Sequence, residues 1–142
     1  MTITGKEVCD VAKTYVGTPF HNLGRAKGIG IDCVGIILGV AEELKIKLII
    51  HYEFKFFNRR TRQRPLLDYM DEQFIKIEKR EVGSIVVSWY NRNTKEPSHL
   101  GIVTGIGLVH THGNLGIVIE EHWSPKWTTL ISGYYRYPGV IC

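Results

Sequence analysis

Cys33 lies in "GIGIDCVGIILGV", residues 28–40, where a glycine-rich approach gives way to an apolar run. A thiol on the first turn of a helix meets backbone N–H groups and the positive end of the helix dipole. Both favour the thiolate. Such a thiol becomes a nucleophile when a neighbouring base takes its proton and holds it as an imidazolium. The second half of the chain supplies candidate bases: His99 in "SHLGIVTG", His110 and His112 in "LVHTHG", and His122 in "EEHW". A cysteine at a helix start, facing histidines on adjacent strands, makes a set of nucleophile, base and orienting group. The expectation is a thiol pKa below the ordinary value and selective alkylation at Cys33.

Each of these residues also has a plainer reading. Free cysteine is among the most buried residue types, so Cys33 alone reads as a core residue. A lone histidine such as His21 or His51 reads as surface or core. "HTH" together with His99 is compatible with zinc, but no carboxylate or cysteine at useful spacing completes such a site, and no metal is expected. The arginines around residue 60 in "FFNRRTRQRP" read as a solvated turn.

The elements that must position these groups are legible in outline. "TGKEVCDVAKTYVG" has Thr4 followed three residues later by Glu7, a capping-box pattern. Val8, Val11, Ala12 and Tyr15 recur at helical spacing, which predicts a helix over 4–16. Residues 17–31 are punctuated by Gly, Pro and Asn and read as loop. Asp32 caps a second helix running through "CVGIILGVAEELKI", apolar nearly all round at its start and therefore buried. Gly35 and Gly39 on that helix point to close approach of another element. "PLLDYMDEQFIKI" reads as a third helix. Short β-branched and aromatic runs follow at 82–90, 99–105, 107–112, 116–121 and 132–137, with "GIG" at 105–107 as a tight hairpin turn. Side chains alternate along a strand, so His110 and His112 share a face and either suits a place beside His99. Helices first and an antiparallel sheet afterwards make an α+β domain spanning 1–142.

Composition bounds the function. The 142 residues are 44% hydrophobic and 23% charged, with a net charge of +4. That fits a globular domain with a mild basic bias and does not indicate nucleic acid. Cys9, Cys33 and Cys142 form no CxxC pair, which argues against a disulfide framework or a thiolate zinc site. Charges interrupt the first residues before any long apolar stretch, so neither a secretion signal nor a membrane span is expected.

"YVGTPFHNLGRAKGIGIDCVGIILGVAEEL" resembles the start of the NlpC-type cysteine peptidases, in which a D-C-x-G motif opens a helix after a G-T-P-aromatic loop. "SHLGIVTGIGLVHTHG" resembles their second block, where one histidine opens a strand as base and a polar residue on the next strand orients it. "VIEEHWSPKWTTLISGYYRYPG" is similar to the end of the short peptidases of phage tails and gene transfer agents. The resemblance implies a papain-like domain with Cys33 as nucleophile, His99 as base and His110 as third member, with His112 as the substitute. It also implies that Asp32 caps the helix and helps position the peptide. Two departures touch the substrate side. Val34 replaces a serine common in cellular members, and Phe20 replaces a tyrosine.

The implied function is a peptidoglycan peptidase that cuts stem-peptide amide bonds without a cofactor. The chain would be made in a bacterial cytoplasm and act in a phage-like tail at the cell wall, with tail-tip proteins as partners. Two rivals stand beside it. One is a tail-assembly or wall-binding module of the same fold with little activity, favoured by Val34 and Phe20. The other is an acyltransferase or amidase with a different acyl donor.

Overall fold

The computed structural model describes residues 2–48 and 65–141. The arginine cluster, His51 and Cys142 lie outside these residues. Helix α1 (Gly5–Lys13) follows the two-residue strand β1 (Ile3–Thr4). Its capping box is formed in both directions: the Thr4 hydroxyl accepts from the Glu7 N–H, and the Glu7 carboxylate accepts from the Thr4 N–H. The stretch expected as loop holds a small antiparallel pair, β2 (Arg25–Ala26) and β3 (Gly30–Ile31). Helix α2 (Cys33–Glu43) then starts at the Asp32 cap, whose carboxylate accepts the Gly35 N–H at 2.8 Å.

The third helix, α3 (Pro65–Gln73), is shorter than its sequence pattern suggests. Its last bond runs from the Phe74 N–H to the Met70 carbonyl. "IKI" that follows is strand β4 (Ile75–Ile77), paired antiparallel with β9 (Ile131–Arg136). Alternation of isoleucine and lysine suits an edge strand better than a helix continuation. The remaining strands are β5 (Ile85–Ser88), β6 (His99–Val103), β7 (Gly107–His112) and β8 (Ile117–His122). A short helix α4 (Trp127–Leu130) precedes β9, and β10 (Val140–Ile141) closes the described chain in parallel with β1. The six-stranded sheet has the order β4-β9-β5-β6-β7-β8, with every pairing antiparallel.

Alternation along the strands gives the sheet two buried faces. Ile85 and Val87 of β5, Leu100 and Ile102 of β6 and Val109 of β7 join Ile36, Ile37 and Val40 of α2 and Val8 and Ala12 of α1 in the main core. Val86, Val103 and Leu108 point the other way and pack with Trp127. Burial of apolar area at about 25 cal/mol per Å² makes both clusters the main source of cohesion. The two helix glycines serve close packing. A side chain at Gly35 would run into the Gly24 carbonyl and Ile31, and one at Gly39 into the Tyr15 ring. The Tyr137 hydroxyl donates to the Ile37 carbonyl at 2.6 Å and fastens the end of the chain to α2. The result is the α+β domain expected, with α2 laid against β6.

Candidate active site

Cys33 is the first residue of α2 and is half-buried. His99 opens β6 and is buried. Both line one cavity of about 650 Å³, together with Asp32, Phe20, Val34 and Tyr90. His110 lies on β7, next to β6. Its Nδ1 stands 2.8 Å from Nε2 of His99. His112, two residues on, is turned to the following loop, where its Nδ1 accepts the Leu115 N–H at 3.2 Å. Of the two histidines left open by the sequence, the structure pairs His110 with His99. His21 and His122 are exposed. Among the described residues, no group of three or more His, Cys, Asp or Glu is arranged to hold a metal ion.

The contact between His99 and His110 is diagonal. Ile102 pairs with Val109, so the next step of the register sets Gly101 opposite His110. A Cβ on Gly101 would lie 2.8 Å from Leu108 Cδ1 and 3.2 Å from His110 Cβ. The bare glycine therefore leaves His110 free to lean toward residue 99, within the diagonal reach of long side chains across strands. The same slant continues into β8. Ile119 pairs with His110, and Glu121, two residues further, accepts from His110 Nε2–H at 2.9 Å. The other carboxylate oxygen accepts from Lys126 at 2.7 Å and from the Trp127 indole N–H at 3.3 Å. Trp127 also sets its ring edge-on to His110, with centroids 5.5 Å apart. Glu121, Lys126 and Trp127 escaped the sequence reading. The one signal for Glu121 was the equal spacing of residues 99, 110 and 121, which acquires meaning only with the register.

Asp32 accepts hydrogen bonds on both carboxylate oxygens. Besides capping α2, it accepts from the Leu23 N–H at 3.0 Å and from the Arg25 guanidinium at 2.7 Å. Arg25 is a further cleft residue that the sequence did not single out. Phe20 is exposed and bridges in parallel to Ile31, while Val34 is half-buried in the cleft wall. Tyr90 sets its ring edge-on to His99, and so brings a hydroxyl-bearing side chain to the cleft where Phe20 brings none.

The electrostatics correct one expectation. Burial, then the adjacent Asp32 carboxylate, push the Cys33 thiol up to about 11. Hydrogen bonds from the Leu100 and Val34 backbone and the charge of Arg25 act the other way and are outweighed. The helix start is present, but the carboxylate that caps it opposes a second negative charge one residue away. Burial, with the His110 charge second, takes His99 down to about 3. His110 is also lowered, chiefly by burial. The resting pair is therefore neutral thiol and neutral imidazole.

This has a consequence for acid stability. The folded pKa of His99 lies below its ordinary 6.5, so the unfolded chain binds more protons between the two values. Its contribution is fully present above pH 6.5 and is lost as the pH falls toward 3, with a slope of up to about 1.4 kcal/mol per pH unit. The melting temperature of the native chain should fall steadily from pH 7 to pH 4.5. His99→Gln should show a shallower decline. Parallel curves for the two proteins would show that another group causes the acid loss.

No family model matches the chain, and no curated protein does. Solved structures do. NlpC1 from Trichomonas vaginalis superposes with a TM-score of 0.70 at 21% identity, over 94% of this chain and 44% of that one. An NlpC/P60 family protein from Bacillus cereus gives 0.71 at 16% identity, over 96% of this chain and 41% of that one. The fold is that of the NlpC/P60 proteins. The NlpC/p60 domain of the peptidoglycan hydrolase SagA gives 0.58 at 18% identity, and there the match covers 94% of this chain and 98% of that one. The chain thus spans less than half the length of the first two and nearly all of the third. The papain-like arrangement of an N-terminal helix against an antiparallel sheet is common ground with these NlpC/P60 structures. Among the described residues, no helix is long and apolar enough to cross a membrane.

Proposed function

We propose that this chain is a cysteine peptidase that cuts amide bonds in peptidoglycan stem peptides. One observation carries the reading: a cysteine on the first turn of a helix shares a cleft with His99, whose ring is hydrogen-bonded to His110 behind it. The likeness to the SagA domain, part of a peptidoglycan hydrolase, supports the substrate class. The Cys33 sulfur attacks the scissile carbonyl carbon as His99 takes the thiol proton. The C–S bond forms and the carbonyl pair moves to oxygen, where the Cys33 backbone N–H is the proposed donor. Collapse breaks the C–N bond, and His99 returns the proton to the leaving amine. Water, deprotonated by His99, then releases the acid from the thioester. His110 orients His99. Asp32, with Arg25 bound to it, and Phe20 and Val34 are the proposed peptide contacts.

The setting proposed is a phage-like tail at the cell wall, after synthesis in a bacterial cytoplasm, with tail-tip proteins as partners. The terminal "W…I…R-Y-P-G" pattern supports it. A wall-binding module with little activity is favoured by the raised Cys33 thiol and by Val34 and Phe20. Mass spectrometry of purified peptidoglycan after digestion separates the two readings, with Cys33→Ala as control. New stem-peptide ends that depend on Cys33 support the peptidase. An unchanged fragment pattern overturns it.

Gly101 gives a further check. Gly101→Val puts branched carbons where a single Cβ already crowds Leu108 and His110. Displacing His110 by about 1 Å should lower turnover about a hundredfold, since misplacement of that size is costly in catalytic sites. Activity within about threefold of the native chain would mean that the diagonal contact does not matter.

A further inference from the structure

The pair His99–His110 has two possible proton arrangements, and a pair of neutral imidazoles does not choose between them. Glu121 does. Its carboxyl is raised by burial but held below the ordinary range overall by the hydrogen bonds from Lys126 and His110. An ionised carboxylate only accepts hydrogen bonds. Nε2 of His110, 2.9 Å from Oε1, must then carry the proton. Nδ1 of a neutral His110 is left as an acceptor, and Nε2 of His99, 2.8 Å away, must donate to it. Nδ1 of His99 is the nitrogen left with a free lone pair. A base needs that lone pair to accept a thiol proton.

We propose that Glu121 is a positioning residue that fixes the tautomer of His110 and, through it, that of His99, so that Nδ1 of His99 is the proton acceptor. This rests on the peptidase reading given above. Glu121 itself is held by Lys126 and Trp127, which occupy Oε2 and aim Oε1 at His110. The relay crosses three neighbouring strands, from β6 through β7 to β8. As positive charge develops on His99 during attack, the fixed carboxylate at the far end stabilises it through the intervening ring. No proton needs to reach Glu121 for this to work.

The test uses the full chain with ¹⁵N-labelled histidine. Long-range ¹H–¹⁵N correlation spectra distinguish Nδ1–H from Nε2–H tautomers. The native protein near pH 7.5 should show Nε2–H on both His99 and His110. Nδ1–H on either ring overturns the proposal, and this measurement requires no variant to fold. Glu121→Gln keeps the shape but loses the charge, and its amide can present a donor. It should give mixed tautomers at His110 and lower kcat about ten- to a hundredfold, with KM within about twofold. Unchanged tautomers and unchanged kcat in that variant also overturn it. If the native chain leaves peptidoglycan uncut, the peptidase reading fails, whereas the tautomer spectra still decide whether Glu121 sets the relay.

Discussion

Cys33→Ala should remove the proposed hydrolysis of peptidoglycan down to background, a loss of at least about 10⁴-fold in kcat. No other group in the proposed scheme forms the thioester, so covalent turnover has no substitute. His99→Ala should fall nearly as far, because nucleophile and base act as one unit and their losses do not add. The neutral resting pair sharpens the expectation. With the thiol at about 11 and the imidazole at about 3, little thiolate exists before substrate arrives. Proton transfer must accompany attack. Iodoacetamide labelling of Cys33 should therefore be slow near pH 6 and rise about tenfold per pH unit up to about pH 9, as thiolate fraction controls the rate. Rapid, pH-independent labelling at pH 6 would mean a preformed ion pair, and the burial argument would be wrong. Retained hydrolysis in Cys33→Ala would remove Cys33 from the chemistry altogether.

The features legible in the sequence are those written in short-range pattern. Thr4 and Glu7 state the start of α1, and Asp32 states the start of α2, because a cap is a matter of residues three apart. The hairpin joining His99 to His110 was visible in "SHLGIVTGIGLVHTH", since alternation and a glycine turn are local. The strand Ile75–Ile77 was not, because after a helical run only pairing with β9 marks it as strand. Glu121 was invisible for a related reason. Its place beside His110 depends on two registers at once, and a one-residue slip would turn it to the other face. The thiol pKa failed for another reason. A helix start can be read from sequence, but the burial of Cys33 and the pull of Asp32 on it depend on what packs around the site.

His110→Ala should lower turnover about ten- to a thousandfold, and His112→Ala less than about threefold. The sequence placed both histidines on one face of the strand and left the choice open. Geometry favours His110, whose ring nitrogen is 2.8 Å from His99, while His112 is engaged with the Leu115 N–H. A two-residue step along a strand is about 6.5–7 Å, too long for both rings to reach the same nitrogen. Without His110, the His99 ring loses the acceptor for its Nε2–H and also its link to Glu121, so both its orientation and its tautomer are released. The effect should appear in kcat, with KM little changed, because the orienting ring does not bind peptide in the proposed scheme. His112→Ala removes a hydrogen bond in an exposed turn, and its cost belongs to local stability. Reversed results would place His112 third and require a shifted hairpin register. Equal and small effects would mean that His99 is oriented by another partner.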